Sequence, residues 1–128
     1  MNRKKNTIEL DGIQDRIRIQ RLAHGFPRIT AHEDIDRFYG LGYMHGTDRQ
    51  MQMWLLKLIG QGRASECLTA GNGLLEADTF MRRLNLAGDA ADEVALLSPE
   101  SSVIVDAYCR GVNDAVEGTT TPFEFRLF

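Results

Sequence analysis

Over the first 31 residues, apolar and polar positions alternate with a period of two. Ile8 and Leu10 alternate with Glu9 and Asp11, and Ile17 and Ile19 alternate with Arg16, Arg18 and Gln20. Such a period lets a strand bury one face and leave the other in water. Asp11-Gly12 between the two runs is a turn dipeptide, so the pattern predicts a β-hairpin. Ala23-His24-Gly25-Phe26-Pro27 then carries turn residues. Arg28-Ile29-Thr30 predicts a third short strand, with Pro27 at its first position, where the missing N–H spoils no ladder.

From about Asp34 the period lengthens. Leu41, Met44, Met51, Leu55 and Leu58 fall at three-and-four spacing, while Tyr39, Tyr43, Met53, Trp54 and Ile59 take the other faces. This predicts a buried central helix over about 34–59, apolar nearly all round. Gly40, Gly42 and Gly46 within it each cost about 1 kcal/mol relative to Ala, which points to something packed close on the backbone. Gly60 and Gly62 supply the exit, and 60–75 reads as a loop with one helical turn around Ala64–Leu68. A helix over about 77–87 places Phe80, Met81 and Leu84 on one side and stops at Gly88, and Asp89 caps a short helix through Leu97.

Ser98-Pro99-Glu100 has the capping hydroxyl, first-turn proline and carboxylate of a helix start. The last helix, about 99–117, carries Ile104, Ala107, Tyr108, Gly111, Val112, Ala115 and Val116 at i, i+3, i+4 spacing. Its Ala107, Gly111 and Ala115 form a small-residue stripe that admits another helix at short range. A polar loop, Thr119 to Pro122, leads to Phe123-Glu124-Phe125-Arg126-Leu127-Phe128. The apolar faces of the helices at 34–59 and 99–117 exceed what this chain alone can cover, so a second chain is expected on them.

Composition narrows the class of protein without naming it. With 43% hydrophobic and 26% charged residues the chain is an ordinary globular one. A net charge of −3, with both signs well mixed, offers no broad basic face, so nucleic acid is not an expected partner. No apolar run is long enough to cross a membrane, and no membrane partner is expected. Cys67 and Cys109, without a CxxC pair or a nearby His ligand, read as free thiols. Met1-Asn2-Arg3-Lys4-Lys5 has the charge of a signal-peptide start, but the polar Asn6–Gly12 stands where an apolar core should follow, so no export signal is expected.

Candidate chemistry is sparse. His24, His32 and His45 make no metal-ligand spacing and read as structural. Asp34 and Asp36 sit at the start of the long helix, where they suit its dipole better than a paired acid/base role. Ser65, Ser98, Ser101 and Ser102 lack the context of a nucleophile elbow, and Gly71-Asn72-Gly73 lacks the Lys of a phosphate loop. Asp48 stands out because it falls on the seam between Met44 and Met51, which predicts a desolvated carboxylate. Its expected partner is an arginine, Arg82 or Arg83 from another helix before the adjacent Arg49. No catalytic residue and no metal ligand is assigned within the chain.

Taken together, the strings IRIQRLAHGFPRITA at 17–31, FYGLGYMHGTDRQMQM at 38–53, GRASE at 62–66, DTFMRRLNL at 78–86, LSPE at 97–100 and AYCRGVND at 107–114 occur in an order that resembles the α chain of the penicillin acylase family. PFEFRLF at 122–128 resembles that family's Pro-x-x-Phe connector. The family belongs to the N-terminal-nucleophile hydrolases. The resemblance implies an α+β fold: a mainly helical α-chain portion of an αββα domain, with strands in 1–31, helices in 34–117 and a connector in 118–128.

It further implies a precursor that cuts itself into a small α chain and a large β chain, and an amidase acting on small N-acylated substrates such as penicillins, acyl-homoserine lactones or lipopeptides. The nucleophile and oxyanion hole would lie on the β chain, the partner from the same precursor. The resemblance implies no cofactor in this chain and leaves room for calcium in the complete enzyme. Its members are commonly exported, so the compartment stays open between periplasm and cytoplasm. The rival reading is an inactive scaffold or helical interaction module related to the α chain.

Overall fold

The computed structural model describes residues 7–68 and 72–126; the side chains at 72, 91 and 126 are outside that description, as are the basic start at Met1–Lys5, Gly71 and the last two residues. Three strands come first: β1 (Thr7–Asp11), β2 (Arg16–Arg21) and β3 (Pro27–Thr30). They form an antiparallel sheet in the order β1-β2-β3, with Ile8 opposite Ile19, Leu10 opposite Ile17 and Ile19 opposite Ile29. The apolar partners therefore share one face, as the period of two requires. Helices follow as α1 (Asp34–Gly60), α2 (Ala64–Cys67), α3 (Asn72–Leu84), α4 (Leu86–Ala95) and α5 (Pro99–Gly118), and Phe123–Arg126 closes as a 3₁₀ turn. This is the α+β, mainly helical architecture with an N-terminal hairpin that the sequence predicts.

The chain divides into two compact units. The first comprises Met1–Asp48 and Pro99–Thr119. Its core is Ile17 and Ile19 from β2, Tyr39 and Met44 from α1 and Ala107 from α5, with Ile8, Leu10, Ile29, Ile35 and Tyr43 packed around them. The expected close approach is real, and its two sides are α1 and α5. A Cβ on Gly42 would strike the Tyr108 backbone, 2.9 Å from its carbonyl carbon, and one on Gly46 would lie 2.8 Å from the Ala115 Cβ. From the other side, a Cβ on Gly111 would lie 2.9 Å from both the Tyr39 carbonyl carbon and the Tyr43 nitrogen. Gly40 meets the sheet instead, where a Cβ would stand 2.8 Å from Ile29 Cγ2.

The hairpin turn is longer than Asp11-Gly12 alone suggests. The loop spans 12–15 and is closed by the Gly12 N–H donating to the Asp15 carbonyl, 2.9 Å. Gly12 keeps a negative φ; its lack of a side chain matters because a Cβ there would stand 2.8 Å from the Asp36 carboxyl carbon.

The second unit comprises Arg49–Ser98 and Thr120–Phe128. α1 kinks at Arg49 (φ −132°, ψ 18°), two residues after Thr47, whose hydroxyl donates back to the Tyr43 carbonyl at 2.8 Å. Such back-bonds bend helices. Within this unit Leu58 is buried, and Trp54 meets Phe125 edge to face at 5.2 Å.

Two boundaries differ from expectation here. α3 begins at Asn72 rather than near 77, and it ends at Leu84, stopped by Asn85 rather than by Gly88. Asn85 adopts a left-handed backbone (φ 56°), which stops the α-helical ladder, and its side-chain amide donates to Asp89 at 2.9 Å. Asp89 is thus inside α4 and accepts from the residue at its cap position, instead of being the cap itself. The apolar side of α3 is open, with Phe80 60% exposed and Leu84 45%. Among the described side chains of α3, Asp78 is the buried one.

Candidate functional site

Two carboxylates are buried among the described residues, and each grips the backbone of a loop. Asp36, 0% exposed, sits in the first turn of α1. Its Oδ1 accepts from the N–H groups of Ile13 (2.6 Å) and Gln14 (3.0 Å), and its Oδ2 from that of Asp15 (2.9 Å). All three donors are in the hairpin loop, so one side chain fixes that loop to the helix. A buried carboxylate is costly unless charge-assisted bonds such as these replace its water.

Asp78 does the same in the second unit at 3% exposure. It accepts from the Ala64 N–H (3.0 Å), the Ser65 N–H (2.7 Å) and the Ser65 hydroxyl (2.6 Å). These are the free donors at the start of α2, so a carboxylate from α3 caps a neighbouring helix. The Ser65 hydroxyl holds the Asp78 carboxyl below the usual carboxylate range; burial opposes this, and the two backbone N–H groups and Arg82 reinforce it.

Arg82, one turn along α3, donates to the Gly62 carbonyl at 2.7 Å and pairs with Glu66. Glu66 also accepts from Arg63 at 2.9 Å, and the two arginines, Arg63 foremost, hold its carboxyl low. The GRASE segment is therefore tied to α3 at several points, and Gly62 is left-handed within it (φ 63°).

Asp48 is corrected by the structure. It pairs with Arg21 of β2, whose two terminal nitrogens both reach its carboxylate, one at 2.8 Å, while the first also donates to the Gly25 carbonyl at 3.2 Å. Neither Arg82 nor Arg83 is its partner. The pair is half-exposed, with 32% of each side chain accessible, so Asp48 is not a desolvated seam residue. The kink at Arg49 ends the regular helical phase on which that seam assignment rested.

The histidines are dispersed. His45 Nδ1 lies 2.9 Å from the Tyr108 hydroxyl across the α1–α5 contact. His24 occupies a left-handed turn position (φ 63°), and His32 lies 3.9 Å from Glu33. Tyr39 donates to Asp114 at 2.7 Å, and burial together with that carboxylate pushes its phenol up to about 12.

Cys67 and Cys109 are free thiols, the second exposed. Among the described residues no group of three or more His, Cys, Asp or Glu is placed to hold a metal ion, and no helix is long and apolar enough to cross a membrane. A shallow cavity of about 380 Å³ on the first unit is lined by Glu9, Asp15, Arg16, Arg18 and His32 among others, with Glu9 already paired to Arg18 at 3.2 Å. None of these groups forms a nucleophile–base pair. What the geometry shows is two loops braced by buried carboxylates.

The sequence marks Asp36 only as a partner of the helix dipole and does not mark Asp78. Gly12 opposite Asp36 was the available signal for the first; Asp78 had none beyond its place in the DTFMRRLNL string.

Comparison with known proteins supplies the context. The profile of the penicillin amidase family matches residues 16–128. An acyl-homoserine lactone acylase from Pseudomonas fluorescens is 36% identical over 104 residues, covering 81% of this chain and 12% of that protein. The penicillin acylase 2 proenzyme of a Pseudomonas species is 33% identical over 122 residues, covering 94% of this chain and 16% of that protein. Penicillin G acylase from Escherichia coli is 32% identical over 118 residues, covering 88% of this chain and 14% of that protein. Among solved structures, a penicillin G acylase from Alcaligenes faecalis superposes with a TM-score of 0.70 at 21% identity, covering 87% of this chain and 55% of that one. The fold is shared, and the chain spans less than a fifth of the length of these curated relatives.

Proposed function

The chain belongs to the penicillin amidase family, and we propose from that membership that it is the small-chain portion of an autoprocessed N-acyl amide hydrolase. It supplies scaffold, and a β chain from the same precursor carries the N-terminal nucleophile. The observation that carries this reading is a mismatch of lengths. Nearly the same share of this chain covers 55% of the solved Alcaligenes faecalis chain but 14% of the Escherichia coli protein, so the solved chain is several times shorter. Division of a long precursor accounts for that difference, and one relative is itself named a proenzyme.

On this reading the first residue of the β chain attacks the amide carbon with its hydroxyl, or with its thiol if it is Cys, and its own α-amine takes the proton. That amine has an ordinary pKa of about 7.7 to 8.0 and works as a base near neutrality with little tuning. The amide C–N bond breaks, the amine leaves with the transferred proton, and water then hydrolyses the ester (a thioester for Cys) and regenerates the nucleophile. Asp36 spends its oxygens on backbone N–H groups, and Asp78 on backbone N–H groups and the Ser65 hydroxyl. A calcium ion in the complete enzyme would need ligands other than these two carboxylates.

The test uses the product of the complete reading frame. Intact mass should give two chains, the larger beginning at Ser, Cys or Thr, and amine release should follow with acyl-homoserine lactones or penicillin-type amides as substrate. A single uncut polypeptide that releases no amine from either class overturns the proposal.

A further inference from the structure

Three successive N–H groups in the β1–β2 loop, those of Ile13, Gln14 and Asp15, converge on one carboxylate at 2.6, 3.0 and 2.9 Å. Consecutive turn N–H groups aimed at one point make a concavity that binds anions. Its occupant is the side chain of Asp36, which comes from α1 and is 0% exposed.

The loop closes without help from that occupant. Asp11 pairs with Arg16 across the hairpin, the Gly12 N–H donates to the Asp15 carbonyl at 2.9 Å, and the Arg16 N–H donates to Asp15 Oδ1 at 2.7 Å. None of these contacts uses an atom of Asp36, and the last turns the Asp15 carboxylate toward Arg16. Gly12 gives a second, independent sign, because a Cβ there would stand 2.8 Å from the Asp36 carboxyl carbon. The missing side chain leaves the room that the carboxylate fills. Gln14 and Asp15 are exposed, so their N–H groups lie within reach of solvent ions once Asp36 is removed.

We propose that residues 12–15 are a preformed receptor for a small carboxylate, and that Asp36 is its tethered ligand rather than the group that shapes the loop. One carboxylate oxygen takes two of the donors and the other takes the third, so the site selects a planar anion with two acceptor oxygens. Chloride offers a single centre, and a neutral amide turns an N–H donor against N–H donors. In the parent chain the tether keeps Asp36 at a high effective concentration, and free anions do not displace it.

The test uses the complete polypeptide carrying Asp36→Gly, which lacks a CH₂COO⁻ group that acetate restores. Hydrogen–deuterium exchange of peptides spanning the hairpin loop is followed by mass spectrometry. Exchange should be faster than in the parent, and acetate should slow it saturably, by about 10-fold at ten times its dissociation constant. Acetamide and chloride should not slow it, and acetate should leave the parent unchanged. Asp36→Ala keeps the β-carbon, so its loop should respond to formate in preference to acetate.

Loop exchange in Asp36→Gly that acetate does not slow, or that chloride slows equally, overturns the proposal. If this variant unfolds, recovery of folded protein on refolding with acetate supports the receptor, because a ligand that binds only the folded chain stabilises it. Failure to refold in acetate overturns it, since a loop that needs Asp36 for its shape cannot be refilled.

Discussion

Gly111 on α5 lies directly against the Tyr39 carbonyl on α1, and a side chain there would collide with the backbone of both Tyr39 and Tyr43. Backbone cannot rotate aside as a flexible side chain can, so the two helices would have to separate. Gly111→Ala should therefore destabilise the complete protein by about 2 kcal/mol, an overpacking loss larger than the roughly 1 kcal/mol gained from helix propensity. Gly60, also helical, has open space around its Cβ position. Gly60→Ala should be neutral or stabilising by up to about 1 kcal/mol. Denaturant melts of the two variants decide the matter, and equal effects would mean that the close approach is not limiting.

Removing Asp36 should be more damaging than its position in the first turn of a helix suggests. Asp36→Ala strands three backbone donors of the hairpin loop at once, for a loss of about 3 kcal/mol or more. Asp36→Asn keeps the shape but turns one acceptor into a donor facing N–H groups, so it should recover little. If the asparagine variant melts like the parent, the carboxylate is not what holds the loop.

The strands and the small-residue stripe were readable in the sequence because both are periodic, and Gly42, Gly46, Ala107 and Gly111 announce a close approach by composition alone. The buried carboxylates were harder for a physical reason. The partners of Asp36 and Asp78 are mainly backbone N–H groups, which carry no residue identity and leave no complementary charge to find. The partner of Asp48 is not legible from helix spacing, because Arg21 comes from strand β2, 27 residues earlier, and only the folded sheet brings it within reach.

Asp78 should make stability depend on acid in a defined direction. Its folded-state carboxyl is held low, chiefly by the Ser65 hydroxyl. The unfolded chain therefore takes up a proton more readily than the folded one as pH falls. The contribution is complete above the ordinary aspartate value near 4, and it is lost as pH drops through the lower folded value. Melting temperatures of the parent and Asp78→Asn proteins should differ most at neutral pH and converge in acid. Parallel curves down to the acid limit would remove Asp78 from the account.

The Arg21–Asp48 pair should matter less than a buried pair would. Both side chains keep 32% of their surface, so water retains part of their solvation and screens the attraction. A buried pair that loses one partner costs about 3 to 5 kcal/mol, whereas exposed pairs contribute about 0.2 to 1 kcal/mol. The fork of Arg21 on both carboxylate oxygens places this pair toward the top of the exposed range. Asp48→Asn should therefore cost about 1 kcal/mol and leave turnover per active site unchanged. Arg21→Lys should cost about the same, because a lysine cannot make the fork and loses the bond to the Gly25 carbonyl. The decisive measurement is a double-mutant cycle on urea melts at low and high salt. A coupling near 1 kcal/mol that shrinks with salt fits a half-exposed pair. A coupling of several kcal/mol that ignores salt would mean the pair is buried in the complete protein, and lost turnover at normal yield would place Asp48 in the working site.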